Sequence, residues 1–205
     1  MKSLFHATAL VALLAAAPAL AQATGQTPGA TSPKPGTSSS TQRSADARFI
    51  QHVAQDNQAE IELGQLAQQK AQSPEVKALG QRLATDHTQA NQQLTQIAQK
   101  EGVQPPKGVG KEKSQERAKL EKLSGQAFDR AFVQSTAQDH QKDIQYFQRE
   151  ANAVQDPQLK SFTQQSLPVL QQHLQMAQEA QSHLASGSSS APSPSAASPG
   201  GGTTK

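Results

Sequence analysis

The chain of 205 residues allows one domain with tails, but only 34% of it is hydrophobic and 3% aromatic, so any core must be concentrated in part of the length. Four of its 19 Lys and Arg residues (Lys2, Lys34, Arg43 and Lys205) lie outside segment 45–185, and all 16 acidic residues lie between Asp46 and Glu179. That leaves 15 basic against 16 acidic side chains in the segment, no face that would neutralise phosphates, and no nucleic-acid partner to expect. Cysteine is absent, which removes disulfides, thiolate metal sites, cysteine nucleophiles and lipidation at a processed N-terminal cysteine.

The first 21 residues, MKSLFHATALVALLAAAPALA, have the parts of a secretory signal peptide: Lys2, the apolar run Ala9 to Ala17 ended by Pro18, and the small-x-small site Ala19-Leu20-Ala21. The run falls short of the roughly 20 residues a bilayer-spanning helix needs. Cleavage and export to the periplasm, or out of the cell, are therefore expected, with no transmembrane segment in the mature chain. Residues 22–44 are rich in Thr, Ser, Gly and Pro without apolar periodicity and are expected to be a disordered linker. Residues 186–205 form a second, Ser/Pro/Gly-rich tail of the same kind.

Between the tails, 45–185 reads as four long helices. The first runs from about Asp46 to Ala71 behind Ser44 as N-cap, with Phe49, Val53, Leu63 and Ala67 on its inner stripe and Asp56 and Glu60 set among them. Gly64 would let another helix approach. Ser73-Pro74-Glu75 starts the second helix after so short a break that the two must be antiparallel neighbours. Val76, Leu79, Leu83, Ala90, Leu94 and Ile97 recur at helical spacing there, with His87 in the same register, and Gly102 with Pro105-Pro106 ends it. Residues 107–123 are a polar connection in which Ser114–Leu123 could form a short helix. The connection is long enough to cross over along the bundle, the alternative being a simple up-down-up-down arrangement. Ser124 is placed as cap of the third long helix, about Gln126–Ala151, with Phe128, Phe132, Val133, Ile144 and Phe147 inside and Asp129, Thr136 and His140 along one edge. Asp156-Pro157 starts the fourth, whose stripe of Leu159, Phe162, Leu167, Leu170, Leu174 and Ala177 includes His173 and which Pro168 should kink.

These blocks have a family look. AEIELG, SPEVKALGQRLATDH, GQAFDRAF and LPVLQQHL resemble family 4142 of the domains of unknown function, an exported bacterial family, over roughly Ala45 to Ala180. Phe132 stands where that family more often shows tyrosine. The resemblance implies a ferritin-like four-helix bundle and supplies no activity. Members are often labelled outer-membrane proteins, but the sequence has neither barrel strands nor a lipid anchor, and the periplasm is the compartment expected.

One residue per helix then draws attention: Glu60, His87, His140 and His173, each on or beside an inner stripe, with Asp86 and Asp129 as candidates to support them. Buried ionisable groups must be paired, ligated or neutralised, and one imidazole or carboxylate per helix is how bundles build metal sites. Imidazole nitrogen and carboxylate oxygen suit a divalent transition metal such as zinc, iron, manganese or copper. The alternative is a polar network that fixes helix register. The residues three before the histidines are Ala84, Ala137 and Leu170, so the Glu-x-x-His pairs of a di-iron centre are missing. His52 with Asp56, and Glu179 with His183, read as surface i, i+4 pairs. No catalytic constellation is legible. The functions left open are a non-enzymatic periplasmic module acting in envelope or stress physiology through an envelope protein partner or a bound ligand, a metal-binding or redox protein, and a wall-associated structural module.

Overall fold

A computed structural model of the chain describes residues 37–188, so the signal-peptide reading, most of the first linker and nearly all of the last tail lie outside the described residues. The described residues form a helical bundle: α1 Thr37–Lys70, α2 Pro74–Glu101, α3 Gly110–Glu121, α4 Gly125–Ala153 and α5 Pro157–Ser188.

The local signals act much as their chemistry dictates. Ser73 accepts from the Val76 N–H at the start of α2, Pro74 takes the first turn, and Gly102 in the left-handed region (φ 67°) closes the helix. Asp156 caps α5 by accepting from the Gln158 and Leu159 N–H groups at 2.9 and 2.8 Å. Two expectations need correction. Helix α1 begins at Thr37 rather than near Asp46, because no proline or glycine interrupts Thr37–Ser44; Ser44 lies inside the helix and accepts from Arg48. Ser124 holds the cap position of α4 without a side-chain cap bond. Helix α5 carries Pro168 inside it, as expected, on its exposed side.

Two cross-bundle clamps set the topology. At the start of α4, Asp129 accepts from the Gln72 and Ser73 N–H groups in the α1–α2 connection (3.0 and 2.8 Å). Near the start of the interior part of α1, Asp46 accepts from the Gln155 and Asp156 N–H groups in the α4–α5 connection (3.1 and 3.2 Å). Helices α1 and α4 are therefore antiparallel, and α3 carries the chain along the bundle between α2 and α4 as a crossover. Polar α3 lies over α1 and α4 through Arg117–Glu62 (3.2 Å), Lys113–Asp139 (2.5 Å) and Glu116 with Ser135, and Leu120 is its one buried residue.

The clamps expose a repeat. At one constant offset Asp46 matches Asp129, FIQHVAQDNQ matches FVQSTAQDHQ, and Ser73-Pro74 matches Asp156-Pro157. The α1–α2 and α4–α5 hairpins are thus two copies of one pattern.

The core falls into two apolar clusters. One contains Leu63, Ala67, Val76, Leu79, Leu83, Phe128, Phe132 and Ala177. The other contains Phe49, Ile50, Val53, Leu94, Phe147, Leu159 and Phe162. Each fully buried Phe or Leu contributes roughly 1.5–3 kcal/mol. The polar residues described below lie in the interior with them.

Candidate functional site

Each histidine takes an inward position on its own helix: His87 follows Leu83 by one turn on α2, His140 follows Thr136 on α4, and His173 follows Leu170 on α5. Exposure is 6% for His87 and 0% for His140 and His173. Helical repetition that would otherwise extend the apolar stripe therefore drives three imidazoles into the interior.

There they meet. One ring nitrogen from each histidine lies within 4.8 Å of the others, and the ring centroids are 5.1–5.7 Å apart. The outward-facing nitrogens are fixed by oxygen acceptors. His87 Nδ1–H donates to Asn57 Oδ1 at 2.9 Å, and His140 Nδ1–H donates to the Thr136 carbonyl at 3.0 Å. His173 Nε2–H donates to Asp86 Oδ2 at 3.0 Å, and Asp86 is in turn held by Arg82 at 2.6 Å. In neutral rings these bonds assign the tautomers. The remaining nitrogens, His87 Nε2, His140 Nε2 and His173 Nδ1, then carry lone pairs. His87 Nε2 is buried without a hydrogen-bond partner, and His140 Nε2 lies 3.1 Å from His173 Nδ1.

The rings are held neutral. Burial pushes His140 down to about 3, with the neighbouring His173 adding to the effect. Burial also lowers His87 well below the ordinary imidazole range, aided by His140 and His173. Burial lowers His173 as well, with the Asp86 carboxylate opposing.

A cleft of about 240 Å³ reaches this cluster. Arg82, Gln89 and Gln93 of α2 and Gln165 and Ser166 of α5 line it on one side, so its mouth lies between these two helices. Val53, Asp56, Asn57 and Glu60 of α1 and Asp143 and Phe147 of α4 line it on the other. His87, His173 and Asp86 also line it. Glu60, 2% exposed, has its Oε2 atom without a partner, as does the Asn57 Nδ2 amide. Burial raises the Glu60 carboxyl to about 8, against the opposing charge of Lys113. Asp143 is raised to about 7 by burial and by Asp56.

Residues 30–180 match the family described as a domain of unknown function, DUF4142. The chain belongs to the DUF4142 family. No curated protein and no solved structure matches the chain.

In this DUF4142 protein the structure sorts the residues expected at a site. His87, His140 and His173 are together. Glu60 shares the cleft with two of them but is outside the group whose ligand atoms converge. Asp86 touches His173. Asp129 is elsewhere: it is occupied by backbone donors of the α1–α2 connection, because α4 begins at that end of the bundle. His52 does pair with Asp56 at 3.1 Å, whereas His183 faces Glu75 at 3.8 Å and Glu179 accepts from Gln175. Sequence reasoning missed Asn57, an uncharged residue with no metal-ligand signature. The repeat could have found it, since Asn57 stands where the second hairpin has His140.

Proposed function

We propose that this DUF4142 protein is an exported bundle that binds a divalent transition-metal ion through His87, His140 and His173. The observation that carries the reading is the meeting of His140 Nε2 and His173 Nδ1 at 3.1 Å, each with its other nitrogen committed as a donor. Two bare lone pairs at that distance repel unless a proton or a cation lies between them, and burial disfavours the proton. Two imidazole nitrogens bound to one tetrahedral zinc lie roughly 3.3 Å apart for metal–nitrogen bonds of about 2.0–2.1 Å. The oxygen acceptors on the far nitrogens are the support that metal-ligating histidines ordinarily have.

Three neutral nitrogens without thiolate favour zinc, iron, copper or nickel over calcium or magnesium. Three protein ligands leave a fourth position for an exchangeable group, and the cleft lined by His87 and His173 gives access. The signal-like N-terminus supports a periplasmic setting, and no described helix is long and apolar enough to cross a membrane. The side chains on the exposed flank of Pro168 include Gln164, Gln165, Gln171 and Gln172, a polar face that lends nothing to partner docking there.

The test is elemental mass spectrometry of untagged protein purified without chelator, beside His140→Ala. Stoichiometric metal, or stoichiometric uptake of added zinc, iron, copper or nickel, with loss in the variant is expected. Wild type that carries no metal and takes up none would overturn the proposal and leave the histidines as a polar network.

A further inference from the structure

The repeat gives the cleft an origin. At the offset that pairs the two hairpins, His173 stands opposite Ala90, His140 opposite Asn57 and Val169 opposite Asp86. The His173 ring fills its own socket at 0% exposure, between His140 at 3.1 Å and Asp86 at 3.0 Å. The matching residues Asn57, Ala90 and Val169 all line the cleft. The cleft therefore includes the counterpart of the His173 socket, with a methyl group where the other half has an imidazole.

Polar atoms at this place lack partners. Asn57 is 5% and Glu60 2% exposed, and neither Asn57 Nδ2 nor Glu60 Oε2 has a hydrogen-bond partner among the described residues. Both residues line the cleft, and side chains three apart on a helix are neighbours. Asn57 Nδ2 is a donor, because Asn57 Oδ1 is the atom that accepts from His87. The Glu60 carboxyl keeps an acceptor oxygen whether or not it holds a proton. Phe147, Phe162 and Val169 supply apolar walls.

We propose that the cleft binds a neutral imidazole-type heterocycle over Ala90, its bare ring nitrogen accepting from Asn57 Nδ2 and its ring N–H donating to the Glu60 carboxyl. A neutral azole carries an acceptor and a donor on separate atoms of one flat ring. It brings no charge into a buried place that would penalise one. A hydroxyl could meet both partners through one atom but would leave the ring-sized space beside Ala90 unfilled. The cleft volume of about 240 Å³ is below that of drug-sized pockets, roughly 300–1,000 Å³. It holds one ring with a short substituent directed to the mouth between α2 and α5.

This site does not rest on the metal reading. Chelator in every sample keeps imidazole from binding through a metal ion, so either reading can fail alone. NMR titration of the full chain at about pH 8, where imidazole is neutral, would compare imidazole with two analogues. Pyrrole lacks the acceptor and 1-methylimidazole lacks the donor. Saturable one-to-one imidazole binding is expected, weakened about fivefold or more in each analogue by the lost hydrogen bond. Ala90→Leu fills the space and should weaken imidazole about tenfold or more, with a thermal melt to verify that the variant is folded. If it is not, the analogues decide alone. Wild type that does not bind imidazole saturably, either analogue binding as tightly as imidazole, or a folded Ala90→Leu that binds like wild type would each overturn the assignment.

Discussion

The α1–α2 and α4–α5 hairpins repeat one pattern and yet solve the same packing problem differently. In the first, Gly64 and Gly80 bring two backbones together; a Cβ on Gly64 would stand 2.5 Å from the Gly80 carbonyl oxygen and 2.9 Å from the Ala84 nitrogen. In the second, Phe147 and Thr163 hold the equivalent positions, and Phe147 turns inward against Phe49 and Phe162 at 5.6 and 6.3 Å. What the hairpins share is structural: the clamps Asp46 and Asp129 and the starts Ser73-Pro74 and Asp156-Pro157. Where they diverge lies the candidate site, since Asn57 faces His140 in the alignment, His87 faces Leu170, and Ala90 faces His173. The shared pattern supplies the scaffold, and the positions at which the hairpins differ let three histidines meet rather than two related pairs.

Breaking the close contact should have the largest effect. Gly64→Ala is expected to destabilise by about 3 kcal/mol, because both obstructing atoms are backbone and a helix must shift. Thr163→Ala, at the position equivalent to Gly80, should cost clearly less. Chemical denaturation of the two variants makes the comparison.

Asn57 and His140 can be set against each other through metal affinity. Asn57→Ala frees His87 to rotate and should weaken binding 10–100-fold, as loss of an orienting partner does, whereas His140→Ala should abolish stoichiometric binding. Competition with a chromophoric chelator reads both.

Glu60 makes a prediction about pH. Its carboxyl is near 8 in the folded chain against an ordinary 4.5, so the folded state retains a proton that the unfolded state releases. Its contribution is complete below the ordinary value and is lost as pH rises toward 8. The buried histidines act in the opposite sense, but only below about pH 6.5, where unfolded imidazole gains its proton. Between pH 6.5 and 8 stability in chelator should therefore fall by about 2 kcal/mol, at up to about 1.4 kcal/mol per pH unit from Glu60, with a smaller share from Asp143, which loses its own retained proton near 7. Glu60→Gln should flatten that slope, whereas a slope unchanged in the variant would remove Glu60 as its source.

The shared clamps give the smallest effect. Asp129→Ala and Asp46→Ala should each cost about 1 kcal/mol, the ordinary loss of a side-chain acceptor for free backbone N–H groups, and the two costs should be alike. Unequal costs would mean that the repeat is not energetically symmetric.

Much of the fold was legible because its signals are local. Apolar stripes, Pro74, Pro157 and Gly102 mark helices whatever surrounds them, and the inward register of His87, His140 and His173 follows from the same spacing. Height along the bundle is not local. Asp129 shares an edge with His140 in sequence, but the crossover through α3 sets the start of α4 beside the α1–α2 connection, and the carboxylate is consumed there. Glu60 is inside, as its stripe implies, but periodicity specifies a face and not a distance to residues on three other helices. The extension of α1 to Thr37 was hidden by composition, since Ser and Thr favour caps and linkers yet do not break a helix.

X-ray absorption spectroscopy of the protein loaded with one equivalent of zinc tests the central claim most directly. The account predicts a first shell of nitrogen and oxygen at about 2.0–2.1 Å with the outer-shell scattering of three imidazoles, reduced to two or fewer in His173→Ala. A wild-type spectrum with at most one imidazole, or one that His173→Ala leaves unchanged, would contradict it.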